Sequence, residues 1–169
     1  VTTRQRIYGV PVWLCLIVFA TLAFGIEKEP LQEYRARRER LAQRIKGNVL
    51  VLRAAPEQEL VEYQQEKNFY YLTGFDEPNA ILLLDASSEP SQEFLFLPER
   101  KPAQERWTGP KLGPGSDAEK ATGFAKVLAT SQFDAVLKTA SERAKSAYGL
   151  ADVEKDIAYL RQVKSPTEI

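Results

Sequence analysis

Apolar and polar positions alternate along this chain in two different rhythms. Leu31, Tyr34, Arg38, Leu41 and Ile45 recur at three- and four-residue steps, which predicts a helix from Leu31 to Ile45, with Gly47 placed to stop it. Val49-Leu50-Val51-Leu52, between Asn48 and Ala54-Ala55-Pro56, is a short continuous apolar run and predicts a buried strand. Ile81-Leu82-Leu83-Leu84 predicts another, ended by Asp85 and a Ser87-Ser88-Glu89-Pro90 turn. Glu93-Phe94-Leu95-Phe96-Leu97 returns as a third, stopped by Pro98, and the short polar connection predicts an antiparallel hairpin.

Beyond Pro98 the pattern weakens. From Pro98 to Pro114 proline, glycine and charge dominate and no period is countable. Ser116 with Glu119 then has the spacing of a capping box and predicts a short helix. Phe124 to Ala129 is a fourth strand candidate. Ser131 opens a helix with Phe133, Val136 and Leu137 inward, Ala147 to Leu150 reads as a short strand, and Val153 to Val163 as a helix. Helices interleaved with strands, with one hairpin inserted, define an α/β domain with a mixed β-sheet flanked by helices.

The arginines crowded into the first helix (Arg35, Arg37, Arg38, Arg40 and Arg44, with Glu33 and Glu39 between them) read as a solvated face with local ion pairs. An anion-binding or interface face is the alternative. Phe69, Tyr70, Tyr71 and Phe75 read as core and sheet-surface packing, and Gly74 as a position whose backbone a side chain would forbid.

The first 25 residues stand apart. Arg4 and Arg6 precede an apolar run from Val10 to Phe24, which as a helix would span roughly 22 Å against a hydrocarbon core of ~30 Å. That is short for a membrane span and normal for a signal-peptide core, with Ala23 and Gly25 as the small residues before a cleavage site. The segment is expected to be a signal peptide, or a membrane anchor if uncleaved, and the protein to be exported, periplasmic or secreted. The one cysteine, Cys15, lies inside it, so disulfides are not expected to hold the fold.

Composition sets further bounds. At 169 residues, 44% hydrophobic and 27% charged, the chain suits one ordinary globular domain. Its 23 basic and 23 acidic residues cancel, which leaves no nucleic-acid footprint. Histidine is absent, excluding a histidine-ligated metal site, a Ser-His or Cys-His nucleophile and a histidine general base. The carboxylates show no calcium-loop spacing, and Gly109, Gly113 and Gly115 are interleaved with prolines rather than forming a phosphate cradle. No self-sufficient catalytic apparatus is recognisable.

Two compact signatures remain: Phe69-Tyr70-Tyr71-Leu72-Thr73-Gly74-Phe75 with Glu77-Pro78, and Glu105-Arg106-Trp107-Thr108-Gly109. Around them stand Arg37-Arg38 and Leu41, the Val49–Leu52 run, Tyr63-Gln64-Gln65-Glu66, Leu95-Phe96-Leu97-Pro98 with Arg100, and Leu160-Arg161 with Lys164-Ser165-Pro166 and Glu168-Ile169. In this order and register they resemble the amino-terminal domain of the Xaa-Pro aminopeptidases, the aminopeptidase P and prolidase family. Gln64 replaces the family's usual Arg, and Glu66 its usual Asp or Asn.

The resemblance implies three regions: the leader at 1–25, the family's amino-terminal domain at 26–158, and the start of a truncated catalytic domain at 159–169. Ser165-Pro166-Thr167-Glu168 indeed has the marks of a helix start. The family's catalytic domain has a "pita-bread" fold. It binds two divalent metals, commonly manganese, through two Asp, one His and two Glu, and removes the residue ahead of a proline. Neither the ligands nor the chemistry is expected here. The expected partners are that catalytic domain, a second subunit in a homo-oligomer, and peptide substrate in the intact enzyme. Trp107 is expected to line substrate or an interface, with Arg106 as a carboxylate partner; a local lid over the sheet edge is the alternative for Trp107. A different reading of the whole chain is a stand-alone secreted binding module, or a gene remnant, acting through the Trp107 loop.

Overall fold

The computed structural model describes residues 29–58 and 62–162. The leader and the Ser165-Pro166 helix start lie outside the described residues. In chain order the elements are α1 (Leu31–Arg44), β1 (Val49–Arg53), α2 (Lys67–Thr73), β2 (Ile81–Asp85), β3 (Gln92–Leu97), α3 (Pro102–Thr108), α4 (Ser116–Thr122), β4 (Val127–Ala129), a 3-10 turn (Thr130–Gln132), α5 (Phe133–Ser141), β5 (Ala147–Tyr148) and α6 (Leu150–Gln162).

The strands form one mixed sheet in the order β4-β3-β2-β1-β5. β2 pairs antiparallel with both β1 (Leu50 opposite Leu84) and β3 (Leu82 opposite Leu95), so the expected hairpin is present. The edge strands β4 and β5 add in parallel to β3 and β1. Successive side chains on a strand face opposite sides. Leu50, Leu52, Leu82, Leu84, Leu95 and Leu97 accordingly join one core with residues of α1, α2 and α6. Val49, Ile81, Leu83, Phe94 and Phe96 join a second with Phe133, Val136, Leu137 and Ala140 of α5. Two covered faces explain why these runs are continuous rather than alternating. α6 runs to Gln162, and Leu160 is buried in the first core. No helix among the described residues is long and apolar enough to cross a membrane.

Several expectations are corrected. Phe69-Tyr70-Tyr71 lies on α2, not on a sheet surface. The side chain of Glu66 starts that helix by accepting from the backbone N–H groups of Asn68 (3.0 Å) and Phe69 (2.6 Å). Gly74 ends it at φ +62°, where a Cβ would fall 2.5 Å from the Tyr34 ring. Phe69 is buried, Tyr70 meets Tyr34 edge-on, and the guanidinium groups of Arg37 and Arg161 lie 4.3 and 4.8 Å from the centre of the Tyr71 ring. On α1 the basic residues are not all solvated: Arg38 is fully buried. Its guanidinium donates to both carboxylate oxygens of Glu93 (2.6 and 3.0 Å) and to Leu72 O (2.9 Å), and lies 3.8 Å from the centre of the Phe124 ring. Ser116 is the first residue of α4 rather than its cap, which is Gly115, with no side-chain cap bond. β4 and β5 are shorter than the runs that announced them, and α6 starts earlier than expected, at Leu150.

Candidate functional site: the helix that presents Trp107

β1 and β3 run parallel to each other, because each is antiparallel to β2. The ends of β1 and β3 and the start of β2 therefore meet on one rim. Three connections from that rim are tied together by side chains. Gln65 is the centre of one knot. Its carbonyl oxygen accepts from the N–H groups of Ala55 (2.9 Å) and Glu66 (2.8 Å), and its amide nitrogen donates to Phe75 O and Glu77 O, each at 3.2 Å. Both ends of one amide are thereby satisfied, clamping the exit of β1 to the turn after α2.

The crossover from β3 to β4 carries the second knot. The stretch without countable period holds α3, with Pro102 at its start, where a missing N–H costs nothing. Arg100 makes a two-pronged ion pair with Glu105 (2.8 and 2.5 Å). The Glu105 carboxyl is held below the usual carboxylate range, first by the Arg100 hydrogen bonds; the backbone N–H of Lys111 lowers it further. Gly113 lies against the stem of Arg100, where a Cβ would fall 2.6 Å from Cγ. Lys111 pairs with Glu57 (3.0 Å), and the N–H of Leu112 reaches the Glu77 carboxylate (3.3 Å). Between these groups is a small cavity of about 180 Å³, lined by Phe75, Pro78, Pro98, Arg100, Gln104 and Leu112 among others.

Trp107 projects from α3 and is 90% exposed. Among the described residues it packs against no sheet edge. Arg106 beside it is exposed, and its side chain makes no hydrogen bond or ion pair with any described residue. The structure thus brings Arg106 and Trp107 together on one short, solvated helix. Sequence reasoning placed them in an irregular connection and missed Arg100 and Glu105 as the groups that hold it, and Gln65 as the clamp between the two neighbouring connections. Pro102, opening a seven-residue span, and Gly109, following it, were the available signal for α3. Among the described residues, no group of three or more His, Cys, Asp or Glu side chains converges as a metal site would require.

The model of the aminopeptidase P N-terminal domain matches residues 34–148. The chain belongs to that family. Intermediate cleaving peptidase 55 of Schizosaccharomyces pombe is 39% identical over 90 residues, covering 48% of this chain and 18% of the relative. Xaa-Pro aminopeptidase 3 of Dictyostelium discoideum is 37% identical over 101 residues, covering 56% of this chain and 19% of the relative. The structure of aminopeptidase P from Escherichia coli with the inhibitor Pro-Leu superposes with a TM-score of 0.65 at 28% identity, over 73% of this chain and 29% of that one. This family domain therefore spans about a fifth of the length of these two curated relatives. The mixed sheet with helices on both faces is the aminopeptidase P N-terminal domain fold.

Proposed function

We propose that this chain is the non-catalytic amino-terminal part of an exported Xaa-Pro aminopeptidase. On this reading, cleavage ahead of a proline is performed by a domain outside these residues, where two divalent cations, manganese foremost, activate water and polarise the scissile carbonyl. The part described here contributes assembly and substrate access, and the leader directs export. Its partners are that catalytic domain, the peptide, and a second subunit.

The observation that carries the reading is Trp107, almost wholly in water on a helix with no core seat, in a domain of this family. A tryptophan so placed gains by burial against something outside its own domain, and Trp is enriched where binding energy concentrates. Arg106, whose side chain engages no other described residue, supplies a cation beside it, suited to a carboxylate of a peptide or of a neighbouring subunit.

The test is W107A in the intact polypeptide, obtained by following the coding sequence past Ile169. The expected outcome is a loss of kcat/KM toward Xaa-Pro peptides of about tenfold or more, corresponding to ~1.4 kcal/mol or more of lost interaction. Metal content should be unchanged. Unaltered kcat/KM together with an unaltered oligomeric state would refute a substrate- or interface-lining role. A reading frame that ends at once would favour the stand-alone module.

A further inference from the structure

α3 is seven residues long, and isolated helices shorter than about 12 residues do not persist in water. None of its described side chains is buried, so apolar packing does not hold it either. What fixes it is polar. Arg100, before the helix, forks onto both carboxylate oxygens of Glu105 within it. One side chain of the helix is thus tied to the chain that precedes it. Residues two apart on an α-helix point about 200° away from each other. Holding Glu105 inward therefore holds Trp107 outward. The stem of Arg100 is itself fixed, because Gly113 packs on it too closely to admit a Cβ.

We propose that Arg100 is the positioning residue for Trp107: its fork to Glu105 sets the orientation of α3 and keeps the indole projecting toward its partner. The claim about position stands on the geometry alone; its relevance to peptide cleavage rests on the reading of Trp107 given above. Arg100 touches no substrate in this role and acts through the helix. Lysine would not replace it fully, since a single ammonium lacks the planar fork that engages both carboxylate oxygens.

Time-resolved fluorescence anisotropy of the full chain tests this. Trp13 and Trp107 are its two tryptophans, so W13F leaves Trp107 as the reporter. In that background R100M keeps the stem beneath Gly113 and removes the fork, while E105Q removes the charge from the other side. Both are expected to reduce the residual anisotropy of Trp107 by about half or more on the nanosecond scale, the range of loop motion. The thermal midpoint should move by only a few degrees. R100K should recover part of the order, and the exchanged pair R100E/E105R more than either single reversal. Unchanged anisotropy in both R100M and E105Q would overturn the proposal. So would loss of order only in variants whose whole domain has melted, as followed by circular dichroism. The two claims separate cleanly. If R100M loosens Trp107 while W107A leaves the intact enzyme unaffected, the functional reading of Trp107 falls and the positioning role stands.

Discussion

Removing the Arg38 guanidinium should cost the domain a large share of its stability, and the structure says why. Arg38 is wholly buried and joins four parts of the fold: α1, the end of α2 through Leu72 O, β3 through Glu93, and the Phe124 ring. Breaking a buried ion pair by removing one partner costs about 3–5 kcal/mol, because the other charge is left without compensation. Glu93 retains some access to water, with 15% of its side chain exposed, which places R38M toward the lower end. The orphaned carbonyl of Leu72 adds a further ~1 kcal/mol. A total near 4 kcal/mol is a large share of the roughly 5–15 kcal/mol that stabilises a domain. Replacing both partners should be far milder: R38M/E93L fills the site with apolar atoms and strands no charge, a change that is often neutral or stabilising. Urea unfolding followed by circular dichroism gives the three free energies at constant m. The reasoning is refuted if R38M costs less than ~1 kcal/mol, or if the double variant is no more stable than R38M.

Two further outcomes follow from particular positions. G74A should be costly twice over, by about 1–2 kcal/mol for the left-handed backbone and about 1–3 for overlap with the Tyr34 ring. G109A, at φ +79° and ψ 167° with no atom within 4 Å of its Cβ, should show a backbone cost of about 1–3 kcal/mol and no overlap cost; a melting shift larger than that of G74A would contradict this. Asp85 supplies a pH dependence. Burial alone would raise its pKa, but the hydroxyl and N–H of Ser87 and the guanidinium of Arg143 outweigh that and leave it lowered. A lowered folded-state value means stability is present above the unfolded range of about pH 4 and lost as pH falls through the folded value. D85N should therefore flatten the acid limb of the urea midpoint against pH; a limb as steep as in the parent protein would rule out Asp85 as its source.

What the sequence disclosed, and what it hid, divides by the range of the interactions. β1, β2 and β3 were legible because burial on both faces demands unbroken apolar runs, and the polar turn between β2 and β3 left the hairpin as the simple connection. α2 was hidden by its own residues: Phe69, Tyr70 and Tyr71 favour strands locally, and tertiary packing against α1 overrides that preference. Arg38 stood on the inward stripe of α1 in plain view, yet no local signal announces Glu93, 55 residues away, as the partner that makes its burial possible. Gln65 is similar, since three of its four bonds go to residues ten or more positions distant. At the candidate site Arg106 and Trp107 were picked out by type and motif. The Arg100–Glu105 fork was not, because two opposite charges five residues apart across a proline are ordinary in any polar loop.

The central proposal is that these residues supply a folded, Trp-presenting domain, and that any metal-dependent cleavage of Xaa-Pro peptides lies outside them. Incubating the purified chain with manganese and an Xaa-Pro peptide, and measuring release of the first amino acid, tests it most directly. No release above the peptide-only control is predicted; turnover that EDTA abolishes would contradict the account.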